Sequence, residues 1–254
     1  MISIIIPYYY GHAVVKRALL ACVPGLAIDA QVILAFDSPE DEAAREIKEW
    51  VRACEGREIP HTTILQNEEN IGPAATRRAA LPYATGEFVI LCDQDDELTS
   101  ARFERGAIEG ADLILFEALR VGDEEERLER HPGIVKRLDR IANPVWNQFL
   151  ASRRQPARMG AVTMSLDIAR SCLSEIDGGG EEWEFFMTAI ARRPRVKYDE
   201  RVGILRHVHG ENLSIVKRKE RLSNWKARVD RLDLAPLVRK AALRAIGQHE
   251  DAGK

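Results

Sequence analysis

Residues 1–117 of this 254-residue chain predict an α/β fold, a mostly parallel sheet flanked by helices. Two observations carry that expectation. Short β-branched apolar runs alternate with amphipathic stretches, the rhythm that builds a parallel sheet covered on both faces. Charged turn residues also recur at the ends of those runs, where open parallel sheets bind ligands.

The elements follow in order. Residues 2–6 are apolar except for Ser3, as a strand buried on both faces requires. Residues 11–22 have helix-compatible spacing, and residues 32–36 form a second strand. Ser38 is positioned to N-cap the next helix, with Pro39 at its first position and Glu40, Asp41 and Glu42 in its first turn. Residues 62–65 read as a strand, 73–81 as a helix, 87–92 as a fourth strand and 113–116 as a fifth.

The rhythm stops after residue 117. Residues 120–140 are dominated by charge and read as an exposed connection. A strand over 159–165, a helix over 167–174, a joint at Gly178-Gly179-Gly180 and a helix over 181–192 follow. From Lys217 the chain is helical and basic. The expected division is an α/β half (1–117), a second half of the same domain (118–215) and a helical C-terminal extension (216–254).

Composition excludes some classes. Hydrophobic residues are 45%, enough for a core, and the net charge of −3 argues against a nucleic-acid binder. Cys22, Cys54, Cys92 and Cys172 lie too far apart for a zinc motif and read as reduced thiols. The N-terminus lacks signal-peptide features, and residues 13–28 are interrupted by Lys16, Arg17, Pro24 and Gly25. The expected location is cytoplasmic, with the inner membrane face open to it as a peripheral site.

Asp37 follows the second strand, Asn67 and Asn70 the third, and Asp93, Asp95 and Asp96 the fourth. Three aspartates within four residues repel one another unless a cation is present. Oxygen-only ligands suit Mg²⁺ or Mn²⁺, which keep positions open for phosphate oxygens. The competing interpretation is a solvated acidic turn capped by Asp96 or Thr99.

Ser3-Ile4-Ile5-Ile6-Pro7-Tyr8-Tyr9, Asp37, residues 67–72, Arg77 and the run from Ala84 through Thr85-Gly86-Glu87-Phe88 to Asp93-Gln94-Asp95-Asp96 together resemble the family 2 glycosyltransferases. Order and spacing match over residues 2–100, and more weakly from Gly180 to Ser214. The resemblance implies a GT-A fold and inverting transfer of a sugar from a nucleotide-sugar donor. The acceptor it implies is a hydroxyl of a glycan or lipid-linked precursor, and the cofactor is a divalent metal.

It also implies roles. Pro7, Tyr8, Tyr9 and Asp37 would hold the base, while Asn70 and Arg77 would lie near the nucleotide or diphosphate. Asp93 would face the ribose or metal, Asp95 would bind the metal, and Asp96 would support the site. Glu181-Glu182-Trp183 stands where the family has Glu-Asp-Trp, which makes Glu182 the general base and Glu181 the runner-up. His209, and less so His207, would close over the diphosphate. The second block would supply the acceptor pocket, with Trp146, Trp183 and Met159 as candidate contacts, although tryptophan is more often core.

Phe36, Ser38-Pro39, the Tyr9-Tyr10 pair and Arg78 depart from the family pattern around the base pocket. Alternatives are a non-catalytic glycan-binding domain and a sugar-phosphate nucleotidyltransferase. The latter lacks its basic glycine-rich loop, since Tyr8-Tyr9-Tyr10-Gly11-His12 stands there. The basic C-terminal helices fit a peripheral membrane contact, a homodimer contact or a solvated tail.

Overall fold

The computed structural model describes residues 1–104, 108–122, 126–130, 144–153, 156–174, 180–208 and 218–251. Its centre is β1 (Ile2–Tyr8), buried at every position. It pairs in parallel with β2 (Gln31–Phe36) on one side and β4 (Phe88–Leu91) on the other, Ile4 lying opposite Val32 and Ile90. Parallel β3 (His61–Gln66) extends the sheet beyond β2.

Side chains alternate across a strand, and that alternation divides the core. Ile2, Ile4 and Ile6 meet Val15 and Leu19 of α1 (His12–Leu20) and Ile47 and Val51 of α2 (Glu42–Cys54). Ile5, Ile33 and Leu91 face the other way, toward Ala80 of α3 (Pro73–Ala80) and the later helices.

The second half adds short strand β5 (Glu97–Leu98), β6 (Leu113–Gly122), β7 (Arg127–Glu129), β8 (Val162–Ser165) and β9 (Val196–Val208). Sheet order is β3-β2-β1-β4-β8-β6-β9-β5, with β7 on β6. β8 runs antiparallel to both β4 and β6, and β9 is parallel to β6 but antiparallel to β5. The helices are α4 (Pro144–Arg153), α5 (Leu166–Cys172), α6 (Glu181–Ala191), α7 (Arg218–Arg231) and α8 (Pro236–Asp251).

Several local expectations change. The N-cap of α2 is Asp41, which accepts from Ala44 N at 2.7 Å; Ser38 is instead buried, and its carbonyl takes the Gln66 amide. Met159–Ala161 is a 3-10 turn leading into β8. The fifth strand runs on to Gly122, so part of the charged connection is sheet, while 123–125 and 131–143 lie outside the described residues. Strand β9 was not expected.

The C-terminal helices are not a solvated tail. Val229, Val238, Ala242 and Ile246 are buried in one cluster with Trp183, Phe185 and Phe186 of α6. Burying that stripe removes apolar area from water, which outweighs the pull of the surrounding charges toward solvent. Among the described residues no helix is long and apolar enough to cross a membrane. All four cysteines are free and buried.

The glycine of the Thr85-Gly86-Glu87 run has a packing cause. A Cβ on Gly86 would lie 2.6 Å from Ser3 N and 2.8 Å from the Ile2 carbonyl carbon. Its own N–H donates to Ser3 Oγ at 2.9 Å. Gly86→Ala is therefore expected to cost about 1–3 kcal/mol by forcing β1 away from β4, read as a lower urea midpoint with unchanged slope.

Candidate functional site

Strand β4 delivers the chain to an acidic turn. Cys92 N still donates to Ile5 O at 3.0 Å, and the turn closes with Asp96 N donating to Asp93 O at 3.1 Å. Asp93, Asp95 and Asp96 each offer a carboxylate oxygen, and those atoms lie within 4.8 Å of one another. Asp93 is exposed, Asp95 half-buried and Asp96 6% exposed. Burial first, and then the charges of Asp93 and Asp95, push the Asp96 carboxyl up to about 8. An oxygen-only set under mutual repulsion fits a hard divalent cation.

Each neighbouring element fastens this turn. Gln94 accepts from Tyr9 N at 2.7 Å and donates to Tyr9 O at 3.1 Å, and it also donates to Tyr10 O. A Cβ on Gly11, whose φ is +112°, would lie 3.0 Å from Gln94 Nε2, so a side chain is excluded both by backbone geometry and by contact. Arg17 of α1 donates to Asp95 O at 3.0 Å and pairs with Glu97 at 3.0 Å. From β9, His207 N donates to Asp96 Oδ1 at 3.1 Å, and His207 Nε2 lies 2.7 Å from Glu97 Oε1.

Arg77 links this turn to α6. Its guanidinium pairs with Asp93 and lies in the electrostatic reach of Glu181 and Glu182. Arg77 Nε and Glu181 Oε2 are buried with no hydrogen-bond partner among the described residues. Arg77, Leu91, Met159, Ser174, Glu181 and Glu182 line one small cavity. Glu182 Oε1 accepts from Met159 N at 3.0 Å. Burial, opposed by Arg77 and Arg228, raises the Glu181 carboxyl above its usual range.

The expected base-pocket residues are arranged less simply. Pro7 and Tyr8 are buried in β1, Tyr8 with its ring edge-on to Phe36 at 4.8 Å, while Tyr9 is exposed in the turn beyond. Asp37, 2% exposed, accepts from Ile71 N at 2.8 Å and Asn67 Nδ2 at 3.1 Å, so it holds the 67–71 loop. Asn70 stands exposed in that loop.

Trp183 is 2% exposed and packs on Trp225, ring centroids 6.0 Å apart, so it is core and not an acceptor contact. Met159 is buried and reaches the site through its backbone N–H and the cavity wall. The side chain of Trp146 and the whole of His209 lie outside the described residues.

Four participants were missed from sequence: Gln94, Arg17, Glu97 and Arg206. The last pairs with Glu129 at 2.7 Å and sits in the field of Asp96 and Glu182. Only Gln94, inside the acidic run, carried any local signal.

A curled, mostly parallel sheet with an acidic turn beyond its fourth strand defines a GT-A type fold. The chain can be laid over S. aureus TarS residues 1–349 in complex with UDP-GlcNAc with a TM-score of 0.65. Identity there is 17%, over 98% of this chain and 72% of that one. The mannosyltransferase PcManGT from Pyrobaculum calidifontis, in complex with GDP-Man and Mn²⁺, gives 0.59 at 14% identity, over 99% and 74%.

Residues 3–162 match the family described as "Glycosyl transferase family 2", and the chain belongs to that family. An uncharacterized glycosyltransferase of Bacillus subtilis (strain 168), YwdF, is 36% identical over 77 residues, 30% of this chain and 28% of that protein. An uncharacterized glycosyltransferase of Haemophilus influenzae is 26% identical over 105 residues, 41% of this chain and 40% of that protein. The chain thus matches less than half the length of either relative.

The raised Asp96 carboxyl has a measurable sign. The folded chain keeps a proton there that the unfolded chain releases near the ordinary carboxylate range, so this contribution to stability is lost as pH rises toward about 8. With chelator present, Asp96→Asn is expected to raise the melting temperature at neutral pH by a few degrees, about 1 kcal/mol, and to flatten its decline with pH.

Proposed function

We propose that this chain transfers a sugar from a nucleoside-diphosphate sugar to a hydroxyl acceptor, with inversion and with a divalent cation as cofactor. One observation supports this above the others: Arg77 spans the gap between the acidic turn after β4 and the two glutamates that open α6. On this reading a donor-diphosphate site and an acceptor-activating site adjoin across Arg77. The bound UDP-GlcNAc and GDP-Man of the two structural neighbours agree with a nucleotide-sugar donor.

Asp95 and Asp93 would hold Mn²⁺ or Mg²⁺, with Asp96 supporting them from its buried position. When bound, the ion neutralises negative charge gathering on the departing diphosphate. Tyr9 at the exposed turn, Asp37 through the loop it organises, and Asn70 on that loop form the nucleotide side. Arg77 stands at the junction, where it can exchange Asp93 for a phosphate oxygen.

Glu182 serves as general base. Its Oε1 accepts from Met159 N, which orients the carboxylate, and as base it would take the acceptor hydroxyl proton. One protein carboxylate suffices, because the leaving diphosphate needs no general acid. Glu181, whose Oε2 is buried, is electrostatically tied to Arg77, which favours a supporting role. His209, in the segment after β9, is assigned to the donor side on family resemblance alone. The acceptor, a glycan or lipid-linked precursor, would enter from the 118–215 side. The exposed basic faces of α7 and α8 are the place for a peripheral membrane contact or a second copy.

A thermal-shift screen of nucleoside diphosphates and sugar nucleotides with and without Mn²⁺ tests the assignment. Metal-dependent stabilisation is expected in the wild type and absent in Asp95→Ala; survival of that stabilisation would remove Asp95 as ligand. Glu182→Gln is expected to keep nucleotide binding and lower kcat by about 10²–10⁴-fold. An unchanged kcat would falsify its role as base.

A further inference from the structure

The C-terminal helices are basic, and one of their arginines points inward. Arg228 of α7 is 2% exposed, a position that a guanidinium tolerates only when paired and hydrogen-bonded. It pairs with Glu184 of α6 and donates to Ser174 Oγ at 2.8 Å. Arg231, on the same face of α7, donates to Oε1 of Glu184 at 2.5 Å. Both carboxylate oxygens of Glu184 are therefore engaged by α7.

These contacts bear on the first turn of α6, which carries Glu181 and Glu182. Ser174 and Gly180 flank residues 175–179, so Arg228 and its helix grip both sides of the approach to α6. Gly180 has a φ of +82°, and a Cβ there would lie 3.1 Å from Trp225 Cα. The start of α6 is thus pressed directly against α7, with Trp183 on Trp225 sealing the contact. Glu181 and Glu184 stand three residues apart, on one helical face, and Glu181 feels the charge of Arg228.

We propose that Arg228 is a positioning residue for the general base, fixing the first turn of α6 through Glu184 and Ser174. The inference rests on the assignment of Glu182 as that base. Arg228 does not touch the reacting groups; it acts through the helix that bears them.

A second effect follows from its charge. Glu181 faces Glu182 on its own helix, Arg77 from α3 and Arg228 from α7; Glu182 also faces Arg206 from β9. Glu184 is matched by Arg231 as well as Arg228. Loss of Arg228 leaves Arg77 as the main cation opposing the burial of Glu181, so Glu181 holds a proton to higher pH.

Full-length wild type, Arg228→Lys, Arg228→Met and Glu184→Gln/Arg228→Met decide the matter. The double variant removes both members of the buried pair, so it folds even where Arg228→Met does not. Binding of UDP or GDP with Mn²⁺ is read by calorimetry, and turnover of the sugar nucleotide that the wild type accepts is read across pH. The nucleotide Kd is expected to stay within about twofold, while kcat of the Met variants falls by at least about tenfold. In Arg228→Met, which loses the cation and keeps Glu184, a carboxyl-carbon NMR titration of Glu181 without donor moves to higher pH.

Arg228→Lys keeps the charge but loses the fork, so it is expected to keep the wild-type Glu181 titration at an intermediate kcat. A folded double variant with wild-type kcat, or a Lys variant with full kcat, overturns the proposal. If Glu182→Gln is fully active, or the wild type neither binds nor turns over a nucleotide sugar, the base assignment itself falls. A wild type that needs Glu182 while its Arg228 variants behave normally sinks this inference alone.

Discussion

Negative charge gathered at the end of β4 is the constraint around which the surrounding parts are arranged. Asp93, Asp95 and Asp96 crowd their carboxylates within 4.8 Å, and one of them is buried. Partly buried charges are screened less by salt than exposed ones, so the turn is stable only because cations and N–H groups converge on it. They come from separate parts of the chain: Arg17 on α1, Arg77 on α3, and the backbone of His207 together with Arg206 on β9. Compensating one turn thereby draws three distant elements together around it.

The same arrangement brings the proposed site residues together. Strand β9 runs along β6 and ends against β5, directly beyond the acidic turn, so the second half of the sheet closes over the first at the site. Arg102, fully buried, donates to the carbonyls of Gly160 and Val162 at 2.6 and 2.7 Å and so sets the turn whose Met159 N–H holds Glu182. The acidic turn follows β4, and the Met159 turn that holds Glu182 leads into β8, its neighbour in one continuous sheet. Their separation is therefore a property of the core and not of surface loops.

Legibility in the sequence followed the range of the interactions. Strands β1 to β4 were readable because their apolar runs are local, and the acidic turn because its residues are contiguous. Strand β9 was hidden: Lys197, Asp199, Glu200 and Arg201 mask its pattern, and its pairing with β6 shifts register around Glu117. Gln94 and Arg17 act across 85 and 78 residues, a distance that no local pattern encodes. The capping of α2 by Asp41 instead of Ser38 was a choice between two competent residues, settled by the demand for Ser38 inside. Val238, Ala242 and Ile246, four apart, were a legible apolar stripe overshadowed by the charges around them.

That stripe also bears on where the functional unit ends. The family match stops at residue 162, yet the glutamates of α6 lie beyond it, and Trp183 and Glu184 are covered by α7 and α8. A chain cut before α7 would leave an apolar helix face and an uncompensated carboxylate open to water. Chimeras that exchange acceptor specificity between relatives therefore have their safest seams outside α6 to α8, with the last helices travelling alongside the glutamates they support.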